Sequence, residues 1–228
     1  MTNNPPSARS DLRISVVIPC YRARKTLPTL IASLAQQTMP QAAFEVIAVD
    51  DGSDDGTQEY LASCPGVQLL RLSHGGPGAA RQAGLEAARG EFVLYLDADL
   101  VASPGLLQAH VDYHQAHPQV GGTSGSVLPA EEYPLLSWAM TDHLCSWFNA
   151  HPGVRYAAPP EYLPSLNFCV KRQTVLGRGI TWGDGLKTTG EDVLYCRDLR
   201  RAGLQLAFLP AAVVRHRDRD TLATYLRH

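Results

Sequence analysis

Several features are scarce in these 228 residues, and each scarcity removes a class of protein. Excess charge is the first. The formal net charge is −2, too small to mark nucleic acid as an electrostatic partner. Long apolar runs are the second. No stretch approaches the roughly 20 apolar residues a membrane-spanning helix needs. No charged start leads into an apolar run, so no secretory leader is expected. Paired cysteine is the third. The five cysteines, Cys20, Cys64, Cys145, Cys169 and Cys196, are odd in number and form no Cys-x-x-Cys pair. That pattern predicts neither a disulfide framework nor a zinc ribbon, and it suggests a reducing, cytoplasmic compartment. Internal repeats and low-complexity tracts are also absent.

The length suits one α/β domain with a full core of its own. Residues 1–12 are polar and proline-rich and read as a flexible arm. Beyond them, apolar runs alternate with amphipathic segments. Residues 14–18 form a β-branched run ending at Pro19, as a buried strand should. Leu27, Leu30, Ile31 and Leu34 then recur at helical spacing. Residues 44–49 read as a second strand, with Ser53 as the cap of a helix through Tyr60 and Leu61. Residues 67–72 read as a third strand. A helix of small residues over 79–89 follows, stopped by Gly90. Residues 92–96 are a fourth strand, and Ser103-Pro104 marks the next helix start. This rhythm predicts a mostly parallel central sheet with helices on both faces. Right-handed crossovers then gather the loops after the strands on one edge, where ligands bind in such sheets.

After residue 118 the rhythm weakens. A strand is expected near 121–127 and a helix over 191–202, closed by Gly203. Strands are expected over 204–209 and 211–214. Residues 130–165 carry no clear period. A further helix start over 220–226 suggests that the natural chain continues past His228. Residues 13–118 make a nucleotide-binding half, and 119–228 an acceptor-side half of the same domain.

Three motifs carry chemistry. Asp97-Ala98-Asp99 leaves the fourth strand, and two acids so spaced can hold a hard divalent ion such as Mg²⁺ or Mn²⁺. An aspartyl-phosphate hydrolase also carries Asp-x-Asp after a strand. It wants threonine where Val101 stands, and its pair follows the first strand. Asp50-Asp51-Gly52-Ser53 follows the second strand. A carboxylate in that exposed turn can accept a base N–H or ribose hydroxyls, although Asp-Gly-Ser also makes ordinary turns. Gly75-Gly76-Pro77-Gly78-Ala79-Ala80-Arg81 opens a helix whose N-terminus would attract an anion. It is no phosphate-binding loop, because no Gly-Lys-Ser/Thr follows. It is no dinucleotide fingerprint, because Arg81 occupies the third glycine's place.

Together these motifs resemble family 2 glycosyltransferases of the GT-A fold. The resemblance runs from Val16-Val17-Ile18-Pro19-Cys20-Tyr21 to Val213-Val214-Arg215-His216 and includes Gly190-Glu191-Asp192. It implies a nucleotide-diphosphate sugar donor, UDP being the expected nucleotide, and Mn²⁺ or Mg²⁺ as cofactor. By the resemblance, Pro19, Tyr21 and Gly78 shape the nucleotide site, Asp51 reads the base with Arg81 nearby, and Asp97 lies at the ribose. Asp99, and His216 as in some relatives, would hold the metal. Asp192 would be the general base of an inverting transfer, with Glu191 supporting it. The Gln-x-x-Arg-Trp motif of processive relatives is absent, which favours transfer of one sugar to a saccharide or lipid-linked acceptor. A metal-dependent phosphohydrolase or nucleotidyltransferase, or a non-catalytic nucleotide-sugar-binding protein, are the alternatives.

Weaker signals remain. His110, His114 and His117 share one predicted helix face, expected to be solvated. Leu135, Leu136, Trp138, Trp147 and Phe148 could pack as core or touch a membrane or lipid-linked acceptor at its cytoplasmic face. Trp182-Gly183-Asp184-Gly185 reads as a mobile loop before the helix of Asp192.

Overall fold

The computed structural model describes residues 11–129, 162–183 and 190–216. Among them, eight strands form one sheet, and helices cover both of its faces. The strands are β1 (Ile14–Cys20), β2 (Phe44–Asp50), β3 (Val67–Arg71), β4 (Phe92–Leu96), β5 (Leu100–Ala102), β6 (Val120–Pro129), β7 (Asn167–Lys171) and β8 (Gln205–His216). The helices are α1 (Leu27–Leu34), α2 (Thr57–Ser63), α3 (Pro77–Ala87), α4 (Leu106–Ala116), α5 (Arg172–Gly177) and α6 (Glu191–Arg201). The strand order is β3-β2-β1-β4-β7-β6-β8-β5. The first four strands in that order run parallel, as does β6 with β8, while β7 and β5 pair antiparallel with their neighbours. Strands β1 to β4 thus form the parallel sheet that the alternating rhythm predicts.

Alternation along β1 explains the two-sided core. Ile14, Val16 and Ile18 face a core shared with Leu27, Leu30 and Leu34 of α1, Leu61 of α2 and Leu106 of α4. Val17 faces the other core, with Ala80 and Leu85 of α3, Val175 of α5 and Tyr195 and Leu199 of α6. Side chains that alternate across a strand bury both faces only when helices lie on each side. Gly84 lets α3 lie directly on β1, since a Cβ there would overlap Val17 Cγ1.

Several local expectations change. Ser53 caps no helix: its Oγ accepts the Arg22 N–H at 2.8 Å, and α2 starts four residues later at Thr57. Asp55 serves that start instead, accepting the Thr57 N–H at 3.1 Å. Helix α4 begins at Leu106 with Gly105 at its cap, one turn element after Ser103-Pro104. Strand β5, strand β7 and helix α5 carry no clear period in the sequence. The 204–214 region is a single strand reaching His216.

The histidine face of α4 is the largest departure. His110 and His114 are buried, not solvated. His110 Nδ1 lies 2.8 Å from Thr123 Oγ1, and its Nε2 lies 3.0 Å from Asn167 Oδ1. Thr123 Oγ1 is 3.1 Å from His114 Nε2, and Asn167 Nδ2 donates to Ala212 O at 3.0 Å. These contacts chain consistently for neutral imidazoles. His114 donates to Thr123, Thr123 to His110, His110 to Asn167 and Asn167 to the backbone. The network pins α4 to β6, β7 and β8. Burial pushes the His110 imidazole down to about 4. Burial and then the nearby His110 push His114 down to about 3. Trp182 also departs from expectation, being fully buried and stacked on Tyr195 at 4.0 Å. The segment 135–148, Asp184-Gly185 and the helix start at 220–226 lie outside the described residues.

Candidate active site

Each parallel strand delivers one part of the site at its carboxyl end. Strand β1 ends in Pro19 and Cys20 and hands over to Tyr21. Strand β2 ends in Asp50 and is followed by Asp51. Strand β4 is followed by Asp97, Ala98 and Asp99. All of these except Asp50, with His74 and the start of α3, line one cleft of about 590 Å³. That is the usual size of a small-ligand site. Pro19, Tyr21, Asp51, Arg81, Asp97 and Asp99 all line it, so six of the expected site residues converge. Gly78 does not line it: a Cβ there would come 3.3 Å from Gly183 O and 3.9 Å from Glu191 Cβ, so Gly78 lets α3 approach α6.

The two adjacent acids at the end of β2, Asp50 and Asp51, have different partners. Asp50 is structural. Its buried Oδ2 accepts the Gly52 N–H at 3.2 Å, the Ser53 N–H at 3.0 Å and Gln58 Nε2 at 2.7 Å. Asp51 faces the cleft yet is only 3% exposed, so it does not sit in an exposed turn. Gly75 N–H donates to its Oδ1 at 2.7 Å and Gly76 N–H to its Oδ2 at 2.8 Å. A carboxylate has about four acceptor positions, so these bonds leave room for a ligand N–H.

Arg81 stands at the centre of a charge line. Its Nη2 is 2.9 Å from Asp97 Oδ1, and its Nη1 is 2.6 Å from Glu191 Oε1. Its guanidinium also lies 5.2 Å from the ring centre of Trp182. Burial alone would lower the Arg81 pKa, but the carboxylates of Asp97 and Glu191 outweigh it and hold the guanidinium charged. Burial and the neighbouring Asp99 raise the Asp97 carboxyl above its ordinary range, against the pull of Arg81. Arg81 is therefore committed to the two carboxylates of Asp97 and Glu191, while lining the same cleft as Asp51.

Pairing of β5 with β8 sets Leu100 opposite His216. That register brings His216 Nε2 to 3.3 Å from Asp99 Oδ2. Asp99 Oδ1 is buried without a hydrogen-bond partner among the described residues. Helix α6, tied to Arg81 through Glu191, starts with Glu191 and Asp192. Tyr162 Oη donates to Asp192 Oδ2 at 3.0 Å, and the Ser165 N–H donates to the same oxygen at 3.3 Å. Tyr162 and Ser165, which fix this carboxylate, lie in a stretch with no sequence period. Cys20 lines the cleft, but burial, then Asp50 and Asp97, raise its thiol far above its ordinary range, so it is no thiolate nucleophile.

The model of glycosyl transferase family 2 matches residues 15–149. The chain belongs to that family. It is 28% identical over 227 residues to the pre-mycofactocin glycosyltransferase of Mycobacterium tuberculosis, covering 97% of this chain and 46% of the relative. It is 35% identical over 113 residues to the poly(ribitol-phosphate) β-N-acetylglucosaminyltransferase TarS of Staphylococcus aureus, covering 46% of this chain and 20% of TarS. The chain therefore spans less than half the length of these relatives. The solved structure of residues 1–349 of S. aureus TarS with UDP-GlcNAc superposes with a TM-score of 0.72 at 22% identity, over 92% of this chain and 60% of that one. The GT-A architecture expected from the sequence is thus the observed fold. Among the described residues, no helix is long and apolar enough to cross a membrane.

Proposed function

We propose that this chain transfers one sugar, with inversion, from a UDP-sugar to an acceptor hydroxyl. The observation that carries the reading is the meeting, at one cleft, of the Asp51 carboxylate, the Asp97–Asp99 pair and Arg81, whose ion pair with Glu191 ties that cleft to the helix start bearing Asp192. Tyr21 and Pro19 flank the base position, and Asp51 offers a fixed acceptor for an imide N–H. Asp97 is held by Arg81 at the ribose side. UDP-GlcNAc is the first donor to test, because TarS relatives are named for N-acetylglucosaminyl transfer and one is solved with that donor.

The residues fit a divalent cation. Among the described residues Asp99 has a buried, unpartnered oxygen and His216 lies beside it, a hard oxygen and nitrogen donor set suited to Mg²⁺ or Mn²⁺. Among the described residues, no group of three or more such side chains could hold an ion alone. Two protein ligands would leave the rest of the shell to phosphate oxygens and water. Bound there, the ion supplies charge compensation for the diphosphate leaving group.

Asp192 then removes the proton of the acceptor hydroxyl, whose own pKa is far too high to lose it unaided. Tyr162 and the Ser165 N–H hold the Asp192 carboxylate by one oxygen. The start of α6 favours negative charge at that point. Glu191 points to Arg81 and so supports the base by fixing the helix start, not by contacting it.

The test is incubation with UDP-sugars and Mn²⁺, reading UDP against inorganic phosphate. A transferase releases UDP, and a phosphohydrolase releases phosphate. UDP should also raise the melting temperature with Mn²⁺ present, by mass action. Asp99→Ala should abolish that gain. Equal stabilisation by UDP in excess chelator would contradict the metal assignment.

A further inference from the structure

His74 has no part in the sequence motifs, yet it makes the closest side-chain contact to Asp51. Its Nδ1 lies 3.1 Å from Asp51 Oδ2 and 3.1 Å from the Asp51 carbonyl oxygen. A carbonyl and a carboxylate oxygen only accept, so it is Nδ1 that donates to Asp51. With the Gly75 and Gly76 amides, His74 completes a ring of donors around this buried carboxylate. Its own side chain remains 64% exposed and lines the cleft. The ring packs on Tyr21, with centroids 4.6 Å apart and planes tilted by 39°. His74 is thus joined both to the group that would meet the base edge and to the ring beside the base.

We propose that His74 is a nucleobase-specificity residue: it fixes the Asp51 carboxylate to accept an imide N–H, and with Tyr21 it forms the aromatic platform for a single pyrimidine ring. The proposal rests on the nucleotide-sugar reading above. A carboxylate acceptor suits uracil, whose N3 carries hydrogen. It repels cytosine, whose N3 is a lone pair. Discrimination of this kind is lost when the acceptor is free to rotate away from the unfavourable partner, because a rigid buried polar group rejects a mismatch more strongly than a mobile one.

The two functions of the ring separate by substitution. His74→Asn keeps an N–H donor near Asp51 and removes the ring. His74→Phe keeps the ring and removes the donor. UDP and CDP affinities with Mn²⁺ are measured by calorimetry for wild type and for each variant, after confirming unchanged melting without nucleotide. His74→Phe should lower the UDP-to-CDP preference about tenfold, the worth of one charge-assisted hydrogen bond. His74→Asn should keep the preference and weaken both nucleotides together. An unchanged preference in His74→Phe would overturn the proposal while leaving the donor reading intact. A wild-type protein that binds no nucleoside diphosphate would instead overturn the donor reading, and this proposal with it.

Discussion

Arg81 and Glu191, 110 positions apart, form a buried ion pair at 2.6 Å that ties the start of α3 to the start of α6. The first helix follows β3 and the second carries Asp192. Their side chains are only 4% and 8% exposed. The pair therefore sets how the proposed base sits relative to the donor acids, because Arg81 also holds Asp97.

Breaking that pair from one side should be costly. Arg81→Met leaves Glu191 and Asp97 uncompensated, and removing one partner of a buried pair typically costs about 3–5 kcal/mol. Removing both Arg81 and Glu191 charges should cost less than the two single losses combined. Urea unfolding of the wild type, Arg81→Met, Glu191→Gln and the double variant gives the coupling directly. Additive losses would show that the two residues do not act as a pair.

Asp51→Asn should act on the fold as well as on binding. The new amide would set an N–H against the Gly75 or Gly76 N–H, leaving a buried donor unpaired at a cost of about 1–3 kcal/mol. UDP affinity should fall about tenfold or more. Calorimetry below the lowered melting temperature checks both effects. Normal UDP binding by Asp51→Asn would mean that another acid reads the base.

Buried neutral histidines make the fold acid-sensitive. The folded values, about 4 for His110 and about 3 for His114, lie below the ordinary 6.5. The unfolded chain therefore binds more protons than the folded chain below pH 6.5. Stability is fully present above that value and falls as pH drops toward 4. Integrated over that window, His110 alone is worth roughly 3 kcal/mol. His110→Gln should be less stable than wild type at pH 7, and the gap should narrow on acidification to pH 5. Parallel stability curves would show that His110 does not titrate across unfolding.

Strands β1, β2 and β4 were legible because they are buried on both faces and read as apolar runs. The acids at their ends stood out for the same reason, as charges directly after Val49 and Leu96. Strand β7 was hidden because Asn167 and Lys171 bracket only three apolar residues, too few for a period. The burial of His110 and His114 was not legible, since polar residues at helical spacing look solvated until Thr123 and Asn167 arrive from β6 and β7 to satisfy them. His74 had no pattern of its own. Its one available cue was position, an imidazole between a strand end and a glycine-rich helix start. The partnership of Arg81 with Glu191 depends on tertiary contact and leaves no local trace.

The division of labour between the halves is tested most directly at Asp192. Asp192→Asn preserves size and can still accept from Tyr162 and Ser165, but it cannot take a proton from an acceptor hydroxyl. With an identified acceptor, turnover should fall roughly 10²–10⁴-fold while UDP affinity stays at the wild-type value. Turnover at the wild-type rate, or a loss of UDP affinity matching the loss of rate, would contradict the account.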